Sequence, residues 1–168
     1  KTLKPVDTKP EDVAFLQYTG GTTGVSKGAT LTNANVLSNV AQNDLWLPAA
    51  FIKKQKPEVL VYVCALPLYH IFALTVNALM GMSQGAHNLL IPNPRDIPGK
   101  YEFHVFPGLN TLFNALLNND DFQKLNFKPL LLSLGGGMAV QRPVADRWKE
   151  LTGCVISEGY GLSETAPV

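Results

Sequence analysis

The chain alternates between short apolar runs and polar joints marked by glycine or proline, and its hydrophobic period switches between the two of a strand and the 3.6 of a helix. Val13 to Tyr18 is a strand-like run that ends in a glycine-rich turn. After that turn the spacing predicts a helix with Thr32 as a hydroxyl N-cap and with Leu37, Val40, Ala41 and Leu45 on one face. Val59 to Ala65 reads as a second strand, Pro67 to His70 as a turn, and the apolar segment Ile71 to Met82 as a buried helix. Ala86 to Ile91 and Phe103 to Phe106 read as further strands. Gly108 to Asn118 has the spacing of a helix presenting Leu109, Leu112, Phe113 and Leu116, and Asn118-Asn119-Asp120 ends it. Leu130 to Leu134 is the next strand. The last helix runs from Arg142 to Thr152, with Pro143 in its first turn, Val144, Trp148 and Leu151 on one face and Gly153 beyond its end. Cys154 to Ser157 closes the series as a strand. Strands alternating with helices predict an α/β fold, a mainly parallel sheet with flanking helices, whose ligands gather at the carboxyl ends of the strands.

The joint after the first strand carries the densest chemistry. Tyr18-Thr19-Gly20-Gly21-Thr22-Thr23-Gly24-Val25-Ser26-Lys27-Gly28 sets eight Gly, Thr and Ser residues around one lysine directly behind an apolar run. Glycines let backbone N–H groups approach an anion with no Cβ in the way, hydroxyls add donors that can swing, and the lysine supplies a compact positive charge. Phosphate suits this combination better than a bare strand-to-helix turn does. It is not a Walker A loop, because glycine follows Lys27 instead of preceding it and the next hydroxyl is Thr30. Near the other end, Glu158-Gly159-Tyr160-Gly161-Leu162-Ser163-Glu164-Thr165 holds an aromatic between two glycines, where it can lie flat against a base. A hydroxyl able to reach a phosphate oxygen and a carboxylate able to hold Mg²⁺ beside phosphates come after it.

These stretches resemble the acyl-adenylate-forming, or AMP-binding, superfamily. The first is similar to that family's phosphate loop, Y-T-S-G-T-T-G-x-P-K-G, with Gly20 in place of a common serine and Ser26 in place of a common proline. The glycine variant is typical of bacterial long-chain fatty acyl-CoA synthetases. The second resembles G-Y-G-x-T-E, with Ser163 keeping the hydroxyl of the threonine. Between them, Pro67-Leu68-Tyr69-His70-Ile71-Phe72 resembles the P-L-x-H segment, whose histidine sits where adenylate, acyl chain and thiol meet. Ser133-Leu134-Gly135-Gly136-Gly137-Met138 resembles the small-residue turn that lets backbone approach the adenine, with Ala139 where proline is common. The four lie in the family's order, and the phrases Ala65 to Leu74 and Asn110 to Asn119 look specifically like the long-chain synthetases.

The resemblance implies a two-step reaction. A long-chain fatty acid attacks ATP to give acyl-AMP and pyrophosphate, and coenzyme A then displaces AMP. It implies that Tyr18, Thr19, Gly20, Gly21, Thr22, Thr23, Gly24, Val25, Ser26, Lys27, Gly28 and Ala29 form the phosphate side, with Thr22 and Lys27 acting in catalysis. Gly135, Gly136, Gly137, Gly159, Tyr160 and Gly161 form the adenine side, Ser163 meets the α-phosphate, Glu164 is the magnesium ligand, and His70 gates or orients substrate. The cofactors are ATP, Mg²⁺ and coenzyme A as co-substrate. A fatty acyl-AMP ligase or another acid-CoA ligase would share all four motifs, and a nucleotide-binding module without catalysis stands as the reading of another class.

Composition narrows the rest. At 168 residues with 46% hydrophobic and 16% charged positions, the chain suits one domain with a sizeable core. A net charge of +1 and no block of five like charges argue against nucleic acid as a partner, and Lys53-Lys54-Gln55-Lys56 reads as a solvated loop. Cys64 and Cys154, without metal-ligand spacing, read as reduced, buried and inert. Ile71 to Met82 is too short to span a bilayer. The expected location is the cytoplasm, with room for peripheral membrane contact on its cytoplasmic face and for a homodimer, neither of which the sequence specifies.

Residues 1–11 read as a linker-like segment and 12–168 as part of an AMP-binding N-terminal domain. The ribose-binding aspartate, hinge and lysine-bearing C-terminal domain of the family are expected to lie outside these residues, leaving the piece alone a poor catalyst. Between Pro98 and Tyr101 the crossover offers only Gly99 and Lys100, where relatives carry a helix about two turns longer, since parallel strands need a crossover. His87 and His104 read as structural. Tyr69, Phe72 and Leu74 read as core, and the charges of Gln141 to Glu150 as a solvated helix face.

Overall fold

The computed structural model describes residues 4–19, 26–52, 55–93 and 101–167. Two strands, β1 (Val13–Thr19) and β2 (Lys27–Thr32), pair antiparallel around the glycine-rich segment, with Tyr18 opposite Gly28 and Thr19 opposite Lys27. The expected strand, loop and helix is therefore a hairpin followed by a helix. Lys27 to Thr32 carries too few apolar residues to announce a strand, and it becomes one by pairing with β1.

Helix α1 (Asn33–Trp46) starts where Thr32 Oγ1 accepts the Asn35 N–H at 3.3 Å while the Asn35 side chain accepts the Thr32 N–H at 3.0 Å, a reciprocal cap. Its inward face is Val36, Asn39 and Val40. Of the expected face only Val40 is buried, whereas Leu37 is 66% and Leu45 81% exposed and Ala41 is exposed as well. The inversion follows from Asn39, a polar residue whose side chain is satisfied inside, donating to Thr165 O and accepting from the Asn43 side chain. A 3₁₀ turn, Leu47–Phe51, ends the helix.

The remaining strands, β3 (Val61–Cys64), β4 (His87–Leu90), β5 (Val105–Gly108), β6 (Leu132–Gly135) and β7 (Ile156–Glu158), form an all-parallel sheet in the order 4-3-5-6-7. Several begin about two residues later than the apolar runs suggest, because residues such as Leu130 are buried ahead of the ladder. On one face lie α4 (Asn110–Leu117), α5 (Asp120–Gln123) and α6 (Arg142–Thr152). There Phe103, Phe106, Phe113, Phe122, Phe127 and Trp148 form a run of tilted and edge-on ring contacts, with Phe122 stacked on Trp148 and centroids 4.7 to 6.3 Å apart. Trp148 Nε1 donates to Ser133 Oγ at 3.0 Å, so the indole is satisfied at the centre of that core. Helix α5, unforeseen in the sequence, is capped by Asn119 Oδ1, which accepts from Asp121 and Phe122. Gly153, left-handed at φ 70°, ends α6 as expected.

On the opposite face a continuous helical path runs through α2 (Ile71–Ala73), a π-helical turn (Leu74–Leu79) and α3 (Met80–Ser83), packed on Tyr62, Val105 and Leu47. This is the buried helix the sequence predicts. Among the described residues no helix is long and apolar enough to cross a membrane. Phe72 is core, but Tyr69 is 82% exposed, since it sits on the turn before the helix instead of inside it. Both cysteines are free and buried, and burial raises the Cys64 thiol pKa. The crossover at 94–100 and residues 53 and 54 of the lysine cluster lie outside the described residues.

The carboxyl ends of the central strands share one level. Gly108, Gly135 and Glu158 stand opposite one another across β5, β6 and β7, and the Gly136 and Gly159 N–H groups continue the ladder to Gly108 O at 3.3 Å and Gly135 O at 2.8 Å. Pro107 is tolerated in a central strand because alternation turns its missing N–H toward β3, where pairing stops at Tyr62 and Val105. A Cβ on Gly135 would stand 2.7 Å from Val140 Cγ2 and 2.9 Å from Ile156 Cγ2. Gly135→Ala should therefore destabilise by about 1–3 kcal/mol. Gly28→Ala, whose Cβ would meet only the Tyr18 ring at 3.5 Å, should stay within about 0.5 kcal/mol of the parent. Denaturant unfolding of the two variants checks the contrast.

His104, just ahead of β5, accepts the Val61 N–H on Nδ1 at 3.0 Å, as a structural histidine. Burial lowers its pKa below 6.5, with the Glu102 charge opposing in part. The unfolded chain then binds the proton more readily, so this contribution is present above the ordinary histidine pKa and is lost as pH falls from there through the lowered folded value. The melting temperature should drop between about pH 7 and 5. His104→Asn, which keeps an acceptor near Nδ1 and removes the titration, should flatten that slope in thermal melts across the range.

Candidate active site

His70 ends the Pro67 to His70 turn, its N–H donating to Pro67 O at 3.0 Å, and caps α2 by accepting the Phe72 N–H on Nδ1 at 3.2 Å. With Nδ1 occupied as an acceptor, the neutral ring carries its proton on Nε2 and can donate there. The Gln17 side chain of β1 donates to Tyr69 O at 3.0 Å, which ties the hairpin to this turn across 52 residues. Gln17 carried no signal in the sequence, because its partner is a distant backbone carbonyl.

The turn after β6 is held from the next strand. Glu158 Oε2 accepts the Val140 N–H at 2.9 Å, closing the segment that contains Gly136 and Gly137. Gly136 lies against the Phe72 ring, which a Cβ would meet at 2.9 Å, and Gly137 adopts φ 75°, a conformation few side chains allow. After β7 the chain passes Gly159, Tyr160 and Gly161 and enters a 3₁₀ turn, Ser163–Thr165, which packs against β1 and β2. Thr165 Oγ1 accepts the Leu162 N–H at 2.9 Å and sets the start of that turn.

One cavity of about 200 Å³ collects these pieces, lined by His70, Ile71 and Phe72 from the α2 start, Gly136 and Gly137 from the β6 turn, and Gly159, Gly161, Leu162, Ser163 and Pro167 from the last segment. Of the residues the sequence singles out, His70, Gly136, Gly137, Gly159, Gly161 and Ser163 thus meet at one place. Gly135 forms the sheet end beneath. Tyr160 and Glu164 do not line the cavity but adjoin it, both exposed, Tyr160 at 85%. Tyr18, Thr19, Lys27, Gly28 and Ala29 form the end of the hairpin next to its connecting segment, with Ser26 just ahead of β2, and Thr19 Oγ1 donates to Lys27 O at 3.3 Å. Gly20, Gly21, Thr22, Thr23, Gly24 and Val25 lie outside the described residues. Ile71, Phe72 and Leu162 line the cavity although nothing in the sequence sets them apart from core positions.

Among the described residues no three His, Cys, Asp or Glu side chains cluster as a metal cage. Glu164 is an exposed carboxylate without an ion-pair partner among them. A single free carboxylate beside a glycine-walled cavity fits Mg²⁺, which is commonly held by one or two carboxylates together with substrate phosphates. It does not fit zinc, which needs three or four protein ligands. For the nucleotide, the exposed Tyr160 ring offers a face for a base, and the backbone around Gly136 and Gly159 can approach it closely.

The profile of the AMP-binding enzyme family matches residues 1–168. The chain is 57% identical over 172 aligned residues, 99% of its length, to the long-chain-fatty-acid–CoA ligase of Escherichia coli O6:H1, of which it spans 30%. It is 54% identical over 94% of its length to the protein of the same name from Haemophilus influenzae, of which it spans 29%. The fold superposes on the crystal structure of ATP-bound MatB from Rhodopseudomonas palustris with a TM-score of 0.81 at 26% identity, covering 99% of this chain and 32% of that one. The cavity, the three motifs that meet at it and the match over the whole chain agree that this protein belongs to the AMP-binding enzyme family.

Proposed function

We propose that these residues carry the nucleotide side of an enzyme that activates a long-chain fatty acid with ATP and transfers it to coenzyme A. The observation that carries the reading is the single cavity in which His70, Gly136 and Gly137, and Gly159, Gly161 and Ser163 meet. Three separate motifs converge there. The substrate class rests on the names of the relatives that are 54 to 57% identical, and the apolar wall of Ile71, Phe72 and Leu162 is compatible with an acyl chain.

A carboxylate oxygen of the acid attacks the α-phosphorus of ATP, the new acyl–phosphate bond forms, and the bond to pyrophosphate breaks. The sulfur of coenzyme A then attacks the acyl carbon and AMP leaves with the bridging oxygen. The chain's task is to hold the reactants in line and to meet charge, since displacement at phosphorus asks chiefly for position and electrostatic stabilisation. Thr19, Lys27 and the glycine-rich segment meet the β- and γ-phosphates, Ser163 the α-phosphate and Tyr160 the adenine. His70 can donate from Nε2 to an acyl or phosphate oxygen while its Nδ1 stays on the Phe72 N–H. Mg²⁺, when bound with the nucleotide, offsets the negative charge of the phosphates. Glu164 is the residue that would hold it.

Lys27→Ala or Thr22→Ala in the full-length protein should lower kcat/KM for ATP about ten- to a hundredfold while the fold is kept. Steady-state kinetics at subsaturating ATP with unfolding controls read this directly, and wild-type values would remove the phosphate assignment. Glu164→Gln should impair acid-dependent pyrophosphate exchange more than thioester formation from supplied acyl-AMP, because charge is concentrated while pyrophosphate leaves. An equal loss in both half-reactions would count against the metal role. Failure to form thioester when coenzyme A is added, with exchange intact, would point to an acyl-AMP ligase.

A further inference from the structure

The turn that carries Glu164 ends on a buried residue in an unusual conformation. Ala166 is 1% exposed and left-handed at φ 68° and ψ 36°, where an alanine stays only if its surroundings hold it. Two groups do so. Thr75, fully buried in the π-helical turn, donates from Oγ1 to Ala166 O at 3.1 Å, across 91 residues of chain. Asn39, 3% exposed in α1, reaches the preceding carbonyl, Thr165 O, with Nδ2 at 3.4 Å. The methyl of Ala166 packs in a cluster with Leu31 of β2, Val36 of α1 and Ile71 of α2. The backbone directly behind Glu164 is thus gripped from the same two helical segments that follow the hairpin and begin at His70.

A buried threonine that merely filled space could bond to its own helix, as Thr152 does to Trp148 O at 2.7 Å. Thr75 spends its hydroxyl on a distant carbonyl instead. The π-helical turn is what lets it face outward from the helix, since Met80 N–H bonds back to Thr75 O five residues earlier and the widened turn re-aims the side chains within it. Neither Thr75 nor Asn39 touches the cavity. We propose that Thr75, supported by Asn39, is a positioning residue that fixes the direction of Glu164 through the carbonyls of Ala166 and Thr165. This rests on the reading of Glu164 as the residue that meets the magnesium-bound nucleotide.

The test uses the full-length protein and equilibrium binding of a non-hydrolysable ATP analogue, titrated with Mg²⁺ by calorimetry, beside hydrogen exchange of the 161–167 segment. Thr75→Val, which keeps the shape and loses the donor, should raise the Mg²⁺ concentration for half-maximal binding about tenfold, leave binding of the metal-free analogue unchanged and speed exchange in that segment. Thr75→Ser should behave as the parent. Wild-type Mg²⁺ dependence in a folded Thr75→Val would overturn the proposal. Thr75→Ala replaces it if the valine variant does not fold, and if neither folds while Thr75→Ser does, the role is structural and the proposal is also overturned. Glu164→Gln run in parallel separates the two readings. If it too leaves the Mg²⁺ dependence intact, the metal role of Glu164 fails, and the positioning role with it. If it abolishes the dependence while Thr75→Val does not, the positioning role alone is wrong.

Discussion

The backbone ladder of the parallel sheet places everything that surrounds the cavity. In a parallel sheet the hydrogen bonds are evenly spaced and every strand points the same way, so the segments that come after the strands leave from one edge. Gly108, Gly135 and Glu158 share a row, and one residue beyond it the Gly136 and Gly159 N–H groups still bond across to the neighbouring strand. Two loops far apart in sequence therefore leave the sheet at the same height. The row must be made of small residues on two of its three strands, because Val140 and Ile156 close over Gly135 and the Phe113 ring closes over Gly108.

The hairpin is attached to that edge and does not belong to the sheet. Its own pairing is antiparallel and its connections are few and specific: a side-chain bond from Gln17 to the turn before His70, and the small apolar cluster of Leu31, Val36, Ile71 and Ala166. A segment joined by a few contacts can adjust without disturbing the aromatic core on the far face of the sheet, and a loop that must admit a nucleotide is best placed on such a segment. The core that stabilises the domain, around Trp148, and the residues that line the cavity share no side chain.

The range of each interaction decided whether the sequence disclosed it. Helix α6 was legible because proline, periodic apolar residues and Gly153 are local signals. The motif glycines were legible because close approach of backbone leaves no other residue type. Strand β2 was not, since Lys27 to Thr32 is half polar and its conformation comes from register with β1. The inward face of α1 was misread for a related reason: periodicity assumes that apolar positions face in, whereas Asn39 is buried and Leu37 and Leu45 are not. The π-helical turn leaves no mark in hydrophobic period, and the bonds of Gln17, Glu158 and Thr75 all end on backbone groups that any residue would supply. Cavity residues such as Ile71 and Leu162 were overlooked because an apolar residue next to a motif looks like core.

The polar groups around the cavity divide into those already bonded and those left open, and the division has chemical sense. His70 Nδ1 and the Glu158 carboxylate are occupied by backbone N–H groups, so they serve as fixed parts of the frame. Glu164 and the Tyr160 ring are exposed next to its lining residues and Lys27 is exposed on the hairpin, without an ion-pair partner among the described residues. A site that had to supply a strong base or nucleophile would need a titratable group buried beside a second one that activates it, and no described lining residue of the cavity is in that situation. A site that has to orient a reactive phosphate ester needs rigid backbone on the inside and free charge at the rim. The arrangement here is of the second kind, which is the arrangement expected where ATP itself brings the leaving group and the protein supplies alignment and charge.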